Sequence, residues 1–165
     1  MKGLDGSMRI DIRLAKDKDI GGIIKLLRQI ADLHHTLRPD IFRKGSQKYS
    51  WGDLEAIISD KSRPVIVAVD GKGSILGYCF LFTLRHAPNA VLKDFSSLFI
   101  DDLCVDERFR NQGIGKKLFE AAKAHAKQIK AYNMYLNVWE ANEGAIEFYK
   151  SMGFFTQRRR MEMIL

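Results

Sequence analysis

The 165-residue sequence holds only two cysteines, Cys79 and Cys104, each inside an apolar, strand-like run. That number and spacing exclude a disulfide framework and the paired-cysteine patterns of zinc sites. The two thiols read as buried small hydrophobes, a state that a reducing cytoplasm preserves. Four histidines, two of them adjacent at His34 and His35, show no HExxH spacing, so no metal is expected. No apolar run approaches the ~20 residues of a membrane-spanning helix, which excludes a membrane partner from the expectation and favours the cytoplasm. The opening MKGLDGSM lacks the apolar segment of a secretory signal. Gly6-Ser7 directly before a second methionine marks residues 1–7 as an N-terminal extension or expression scar, ahead of a single domain over residues 8–165. Repeats, linkers and low-complexity segments are missing too.

What is present is the composition of a soluble globular chain, 46% apolar and 28% charged. A formal charge of +7 and a pI near 9.5 point to an anionic partner, either nucleic acid or a phosphorylated cofactor. Alternating MRIDIRL from Met8 to Leu14 predicts a half-buried strand. Ile20, Ile23, Ile24, Leu27, Ile30 and Ala31 recur on one helical face. His35 to Ser50 reads as a loop and Trp51 to Ser59 as a short helix. Pro64–Val69 and Ser74–Leu84 are strands joined by a turn at Asp70–Gly73, and Arg85 to Ser96 reads as irregular. Ser97–Val105 is the next strand, followed by a long helix on Ile114, Leu118, Ala121, Ala122, His125, Ala126 and Ile129. A short strand at Met134–Val138, a helix at Asn142–Met152 ending before Gly153, and strand-like residues to Leu165 complete the chain. The order predicts an α/β (mixed α+β) fold: a twisted mixed sheet of six to seven strands flanked by about four helices.

One stretch, RFRNQGIGKK from Arg108 to Lys117, places two glycines inside positive charge between a strand and a helix. It is no P-loop: with Gly115-Lys116 as the G-K pair, Arg110 stands at the first glycine and Lys117 at the hydroxyl position. It is no dinucleotide fingerprint either, because the third glycine position is Leu118. It does satisfy [QR]-x-x-G-x-[GA], through Arg110, Gly113 and Gly115. Small residues there let successive N–H groups face one anion at a positive helix end, and a diphosphate is the natural guest. Arg108, Arg110, Lys116 and Lys117 add charge around it.

Downstream, Asn142, Ala145, Phe148, Tyr149, Gly153 and Phe154 spell N-x-x-A-x-x-F-Y-x-x-x-G-F. With DDLCVDERFRNQGIG ahead of it, the chain resembles the GNAT superfamily of N-acetyltransferases; the specific motifs run from Ile100 to Phe154. The resemblance implies acetyl-CoA as cosubstrate and an amine acceptor. It implies that Leu103, Cys104 and Val105 offer backbone groups to pantetheine and to the thioester carbonyl. It implies that Arg110, Asn111, Gln112, Gly113, Ile114, Gly115 and Lys116 surround the diphosphate, and that Asn142 and Tyr149 contact the cofactor. Asn142 reads equally as a helix N-cap, and the two roles are compatible. Tyr149 resembles the general acid that protonates the departing thiolate. A phenol near pKa 10 is suited to a thiol near 8.5.

An alkylamine of pKa near 10.4 is neutral only about once in 2,500 molecules at pH 7, roughly 4.6 kcal/mol of uphill work. A carboxylate is therefore expected to take its proton. Asp101 and Asp102 are the candidates, on opposite faces of an ideal strand, with Glu140 a third. Cys104 as an acyl-enzyme nucleophile is disfavoured, since amine attack on a thioester needs no covalent step. The acceptor pocket falls to His34–Ser50, Arg85–Phe95 and the C-terminal residues, none with a decodable signature. Asp94, Asp101 and Asp102 suit a cationic acceptor, whether polyamine, small-molecule amine or peptide lysine. Dimers are frequent in the family, but nothing in the sequence demands a homodimer. Two rivals stand beside this reading. One is a basic nucleic-acid-binding module ending in Arg158-Arg159-Arg160, against which the lack of interleaved aromatics counts. The other is a non-catalytic acyl-CoA sensor with the same fold.

Overall fold

A computed structural model describes residues 9–165, so the N-terminal extension assigned to residues 1–7 lies outside the described residues. Strand β1 (Ile10–Leu14) leads through a single 3-10 turn into α1 (Ile20–Leu37), and α2 (Trp51–Ser59) follows a loop. Strands β2 (Val65–Asp70), β3 (Ile75–His86) and β4 (Phe95–Val105) come next. The chain continues through α3 (Ile114–Gln128), β5 (Asn133–Leu136) and α4 (Glu143–Ser151). The strands form one sheet in the order β1-β2-β3-β4-β5, antiparallel except for the parallel β4–β5 pair.

Helices cover both faces, and β2 shows why its sequence reads as an unbroken apolar run. Val65, Val67 and Val69 face the α1–α2 side with Ile23, Leu27 and Leu54, while Ile66 and Ala68 face α3 with Leu118 and Ala122. Helix α2 starts where Ser50 and Asp53 cap each other reciprocally, with Ser50 Oγ accepting from the Asp53 N–H at 3.2 Å.

Three boundaries differ from expectation. The β3–β4 hairpin is longer at its tip: His86 pairs with Phe95 and their rings stack at 4.3 Å, which orders residues that read as irregular. Helix α1 runs on to Leu37, six residues past the last apolar face position at Ala31, and the following turn is tied back by Phe42 O on His35 Nδ1 at 2.7 Å. Among the described residues the sheet has five strands rather than six to seven. The Arg160–Leu165 segment alternates like a strand but pairs with no described edge, and Met161, Met163 and Ile164 lie in solvent.

Candidate active site

The site is organised by one irregularity in β4. Phe80 pairs with Asp102 but Leu81 pairs with Ile100, so Asp101 is an extra residue and β4 carries a bulge there. The bulge inverts the alternation of the strand. Before it, Leu98 and Ile100 pack on the α3 side; after it, Leu103 and Val105 take that side and Cys104 joins the α1–α2 core. Asp101 and Asp102, expected on opposite faces, therefore both find partners on the α1–α2 side. The Tyr49 hydroxyl donates to Asp101 Oδ2 at 2.7 Å, and Lys48 Nζ donates to Oδ1 at 2.8 Å. The Tyr78 hydroxyl donates to Asp102 Oδ2 at 2.9 Å. The three rings of Tyr49, Phe80 and Tyr78 stand in a row behind the two carboxylates.

The same level of the sheet is where β5 leaves. The β4–β5 ladder runs from Ser97–Asn133 to Ile100–Leu136 and stops. Among the described residues, Asp101–Val105 have no ladder partner on that side, which leaves an extended backbone edge open over five residues. Gln29 of α1 braces the far end: its Nε2 donates to Val105 O at 3.1 Å, and its Oε1 accepts from the Glu107 N–H at 3.1 Å.

Beyond this edge lies the RFRNQGIGKK loop. Asn111 and Gly113 both have positive φ, at 60° and 76°, and Gly113 is the N-cap of α3. Among the described residues no side chain caps this helix, and no acidic residue lies in its first turn. The N–H groups of Ile114, Gly115 and Lys116 have no acceptor among the described residues, so the positive end of a 15-residue helix is bare. Gly115 has a second reason to lack a side chain, because a Cβ there would meet the Phe148 ring of α4 at 3.2 Å. Arg108 is not free charge as expected. It grips the buried Asp106 carboxylate at 2.6 Å and holds it below the usual carboxylate range. Arg110 is exposed and, among the described residues, its side chain makes one hydrogen bond, to Val105 O at 3.4 Å. A groove of about 610 Å³ runs between this turn and α1, lined by Lys25, Arg28, Gln29 and Arg110 among others.

Helix α4 supplies the remaining candidates. Asn142 is its N-cap, accepting from the Ala145 N–H at 3.2 Å. Tyr149 packs its ring against Phe148 and Phe154. Among the described residues its hydroxyl has no hydrogen-bond partner. It is nonetheless not one of the sealed, unsatisfied polar atoms, which are Arg63 Nε, His86 Nε2 and His125 Nε2. Burial pushes the Tyr149 phenol well above its ordinary pKa, and Cys79, Asp102 and Cys104 add to the effect, which places them in its electrostatic neighbourhood. Burial also raises the Cys104 thiol to about 12, which keeps it protonated. Glu140 is exposed, and among the described residues its side chain makes no hydrogen bond or ion pair. Lys48, Tyr49 and Gln29 are the residues that sequence reasoning missed; the first two lie in an unpatterned loop and the third between apolar helix positions.

Burial raises the Asp102 carboxyl from 3.8 to about 6. The folded protein thus holds a proton that the unfolded chain has lost between those values. The contribution favours folding below about pH 4, fades as pH rises to 6, and is fully absent above that. Asp102→Asn is expected to be more stable than the parent at about pH 7.5, by up to ~3 kcal/mol, with the gap closing below about pH 4. Urea denaturation of both proteins across this range measures it, and a pH-independent difference would refute the burial argument.

Residues 27–154 match the sequence model of the acetyltransferase (GNAT) family. The chain belongs to the GNAT family. It is an acetyl-CoA-dependent acyltransferase of that family, whose members use acetyl-CoA as cosubstrate. It is 31% identical over 149 residues to the peptidyl-lysine N-acetyltransferase YjaB of Salmonella typhimurium, covering 89% of this chain and 84% of that one. It is 26% identical to a thialysine N-epsilon-acetyltransferase of Bos taurus over 86% of this chain and 82% of that protein. Its GNAT fold superposes on an x-ray structure of a tetramutant of the BH1408 protein from Bacillus halodurans with a TM-score of 0.90 and 30% identity. That match covers 94% of this chain and 99% of the other. Among the described residues of this GNAT chain, no helix is long and apolar enough to cross a membrane. Nor do three or more His, Cys, Asp or Glu side chains group so as to hold a metal ion.

Proposed function

We propose that this enzyme transfers the acetyl group of acetyl-CoA directly to an unhindered primary alkylamine of the lysine type. The observation that carries the proposal is the open β4 edge, Asp101–Val105. It lies between the bare N-terminus of α3 at one end and the Asp101 and Asp102 carboxylates of the bulge at the other. The N–H groups from Asn111 to Lys116, with Arg110 and Lys116 beside them, take the diphosphate. Leu103, Cys104 and Val105 pair through their backbones with the amide-bearing arm, and a backbone N–H of that edge polarises the thioester carbonyl. Asn142, besides capping α4, borders the same arm.

The two carboxylates draw an ammonium group to the bulge, and Asp102, ionised above about pH 6, accepts its proton. The amine nitrogen attacks the carbonyl carbon, the new C–N bond forms, and the C–S bond breaks. The electron pair leaves on sulfur, and Tyr149 returns a proton to it. The peptidyl-lysine and thialysine specificities of the relatives support an acceptor of this shape, a single charged nitrogen on a flexible alkyl stem.

CoA thiol release with lysine, thialysine, lysyl peptides, polyamines and aminoglycosides tests the reading. The expected result is turnover on the lysine-type amines, with kcat/KM breaking to a fall of about tenfold per pH unit below the Asp102 titration, and that break absent in Asp102→Asn, where the scarce neutral amine sets the slope throughout. Acetyl-CoA binding without release on any amine would replace the proposal with the sensor reading.

A further inference from the structure

We infer that Lys48 is itself an acetyl acceptor, modified within its own molecule at the proposed transfer centre. This rests on the acetyl-transfer reading above and goes one step beyond it. Lys48 Nζ donates to Asp101 Oδ1 at 2.8 Å and reaches the Asp101 carbonyl oxygen at 3.4 Å, so its amine sits on the bulge residue where β5 parts from β4. Its charge is felt by Asp102 and by His34, whose imidazole is held below its usual pKa first by burial and then by this lysine. The ammonium lies 5.4 Å from the centre of the Tyr49 ring, and Tyr49 binds the other oxygen of the same carboxylate.

The loop that presents Lys48 is anchored rather than free. Arg28 Nε donates to Gln47 Oε1 at 2.9 Å, and Gln47 Nε2 donates to Tyr49 O at 2.9 Å. The Lys48 side chain remains 43% exposed, so its four-carbon stem has room to swing. Lys48 is a primary alkylamine on a flexible stem, the functional group proposed for the external acceptor, and it already occupies the carboxylate that such an acceptor would seek. Other lysines differ: Lys116 and Lys117 flank the α3 N-terminus at the far end of the open edge, and Lys150 pairs with Glu147 on the outside of α4.

The step balances without an added oxidant or co-reactant. The Lys48 ammonium gives a proton to a neighbouring carboxylate, its lone pair forms a C–N bond to the acetyl carbon, and the C–S bond breaks. CoA leaves as a thiol after protonation, and one proton is released overall. Acetylated Lys48 no longer carries the charge that holds Asp101, so the carboxylate is freed for an external ammonium.

The experiment incubates the full chain with acetyl-CoA carrying a labelled acetyl group and maps labelled lysines by peptide mass spectrometry over time. The expected result is a single dominant site at Lys48, labelled about tenfold or more faster than the mean of the other lysines, at a rate independent of protein concentration. Lys48→Arg, which preserves the ion pair, is expected to lose that label. Three outcomes overturn the inference. Lys48 could stay unlabelled while external amines are acetylated, which leaves the transfer reading intact. Label could spread over surface lysines equally in folded and heat-unfolded protein, which is uncatalysed chemistry. Finally, acetyl-CoA could fail to bind and no amine turn over, in which case the transfer reading falls first and the inference with it.

Discussion

Tyr149→Phe is expected to lower kcat by about 10²- to 10⁴-fold while leaving the affinity for acetyl-CoA within a few-fold of the parent. The substitution removes one oxygen and keeps the ring, so the contacts with Phe148 and Phe154 survive. No hydrogen bond is lost in the resting protein, since the hydroxyl has no partner among the described residues, and the melting temperature should barely move. Burial raises the pKa of Tyr149 and makes it a weaker acid in isolation. A CoA thiolate leaving into a desolvated site is made more basic by the same physics, so the two shifts act in the same direction. Steady-state kinetics, a thermal melt and equilibrium acetyl-CoA binding on one preparation decide the matter. Unchanged kcat removes Tyr149 from the chemistry.

The parts of this protein that are legible in its sequence are those written in local pattern. Helix faces, the Ser50–Asp53 start of α2, the turn at Asp70–Gly73 and the glycine loop before α3 all depend on residues a few positions apart. The bulge at Asp101 does not. A strand with one extra residue reads as two apolar alternations of opposite phase, and in LFIDDLCV the two aspartates hide the change of phase. That single insertion moves Asp102 to the Tyr78 side and gathers both carboxylates together. The long-range partners are equally hidden. Lys48 and Tyr49 reach Asp101 from more than fifty residues away, and Gln29 reaches Val105 from 76. The Asp106–Arg108 pair is local yet escapes the sequence, because a charge next to a phosphate-binding pattern reads as free until a buried carboxylate claims it. In the C-terminal segment, the alternation of Arg160 to Leu165 is a strand pattern without a partner strand, and pattern alone does not supply one.

Gly113→Val is expected to weaken acetyl-CoA binding by about 10²- to 10³-fold, well beyond its cost to folding. Gly113 has φ of 76°, and a Cβ built there meets nothing within 4 Å, so the fold penalty is backbone strain without a clash. For a β-branched residue in the left-handed region that strain is about 1–3 kcal/mol, a fraction of a typical domain's stability of roughly 5–15 kcal/mol. Binding suffers differently. If valine accepts the left-handed conformation, its side chain projects into the open space before the α3 N-terminus. If it relaxes to negative φ, the N–H groups of Gly113 and Ile114 turn away from their common target. Each charge-assisted hydrogen bond to the diphosphate contributes about 1.5–3 kcal/mol, and losing two at the lower end of that scale, about 3–4 kcal/mol together, gives the expected range. Gly73 supplies the control, since it has φ of 88°, equally open surroundings, and a place in the β2–β3 turn. Gly73→Val should carry a similar folding penalty and bind acetyl-CoA normally. Calorimetric titration and denaturant unfolding of both variants separate strain from recognition. If the two lose stability alike and both keep the parent affinity, the diphosphate does not sit at Gly113.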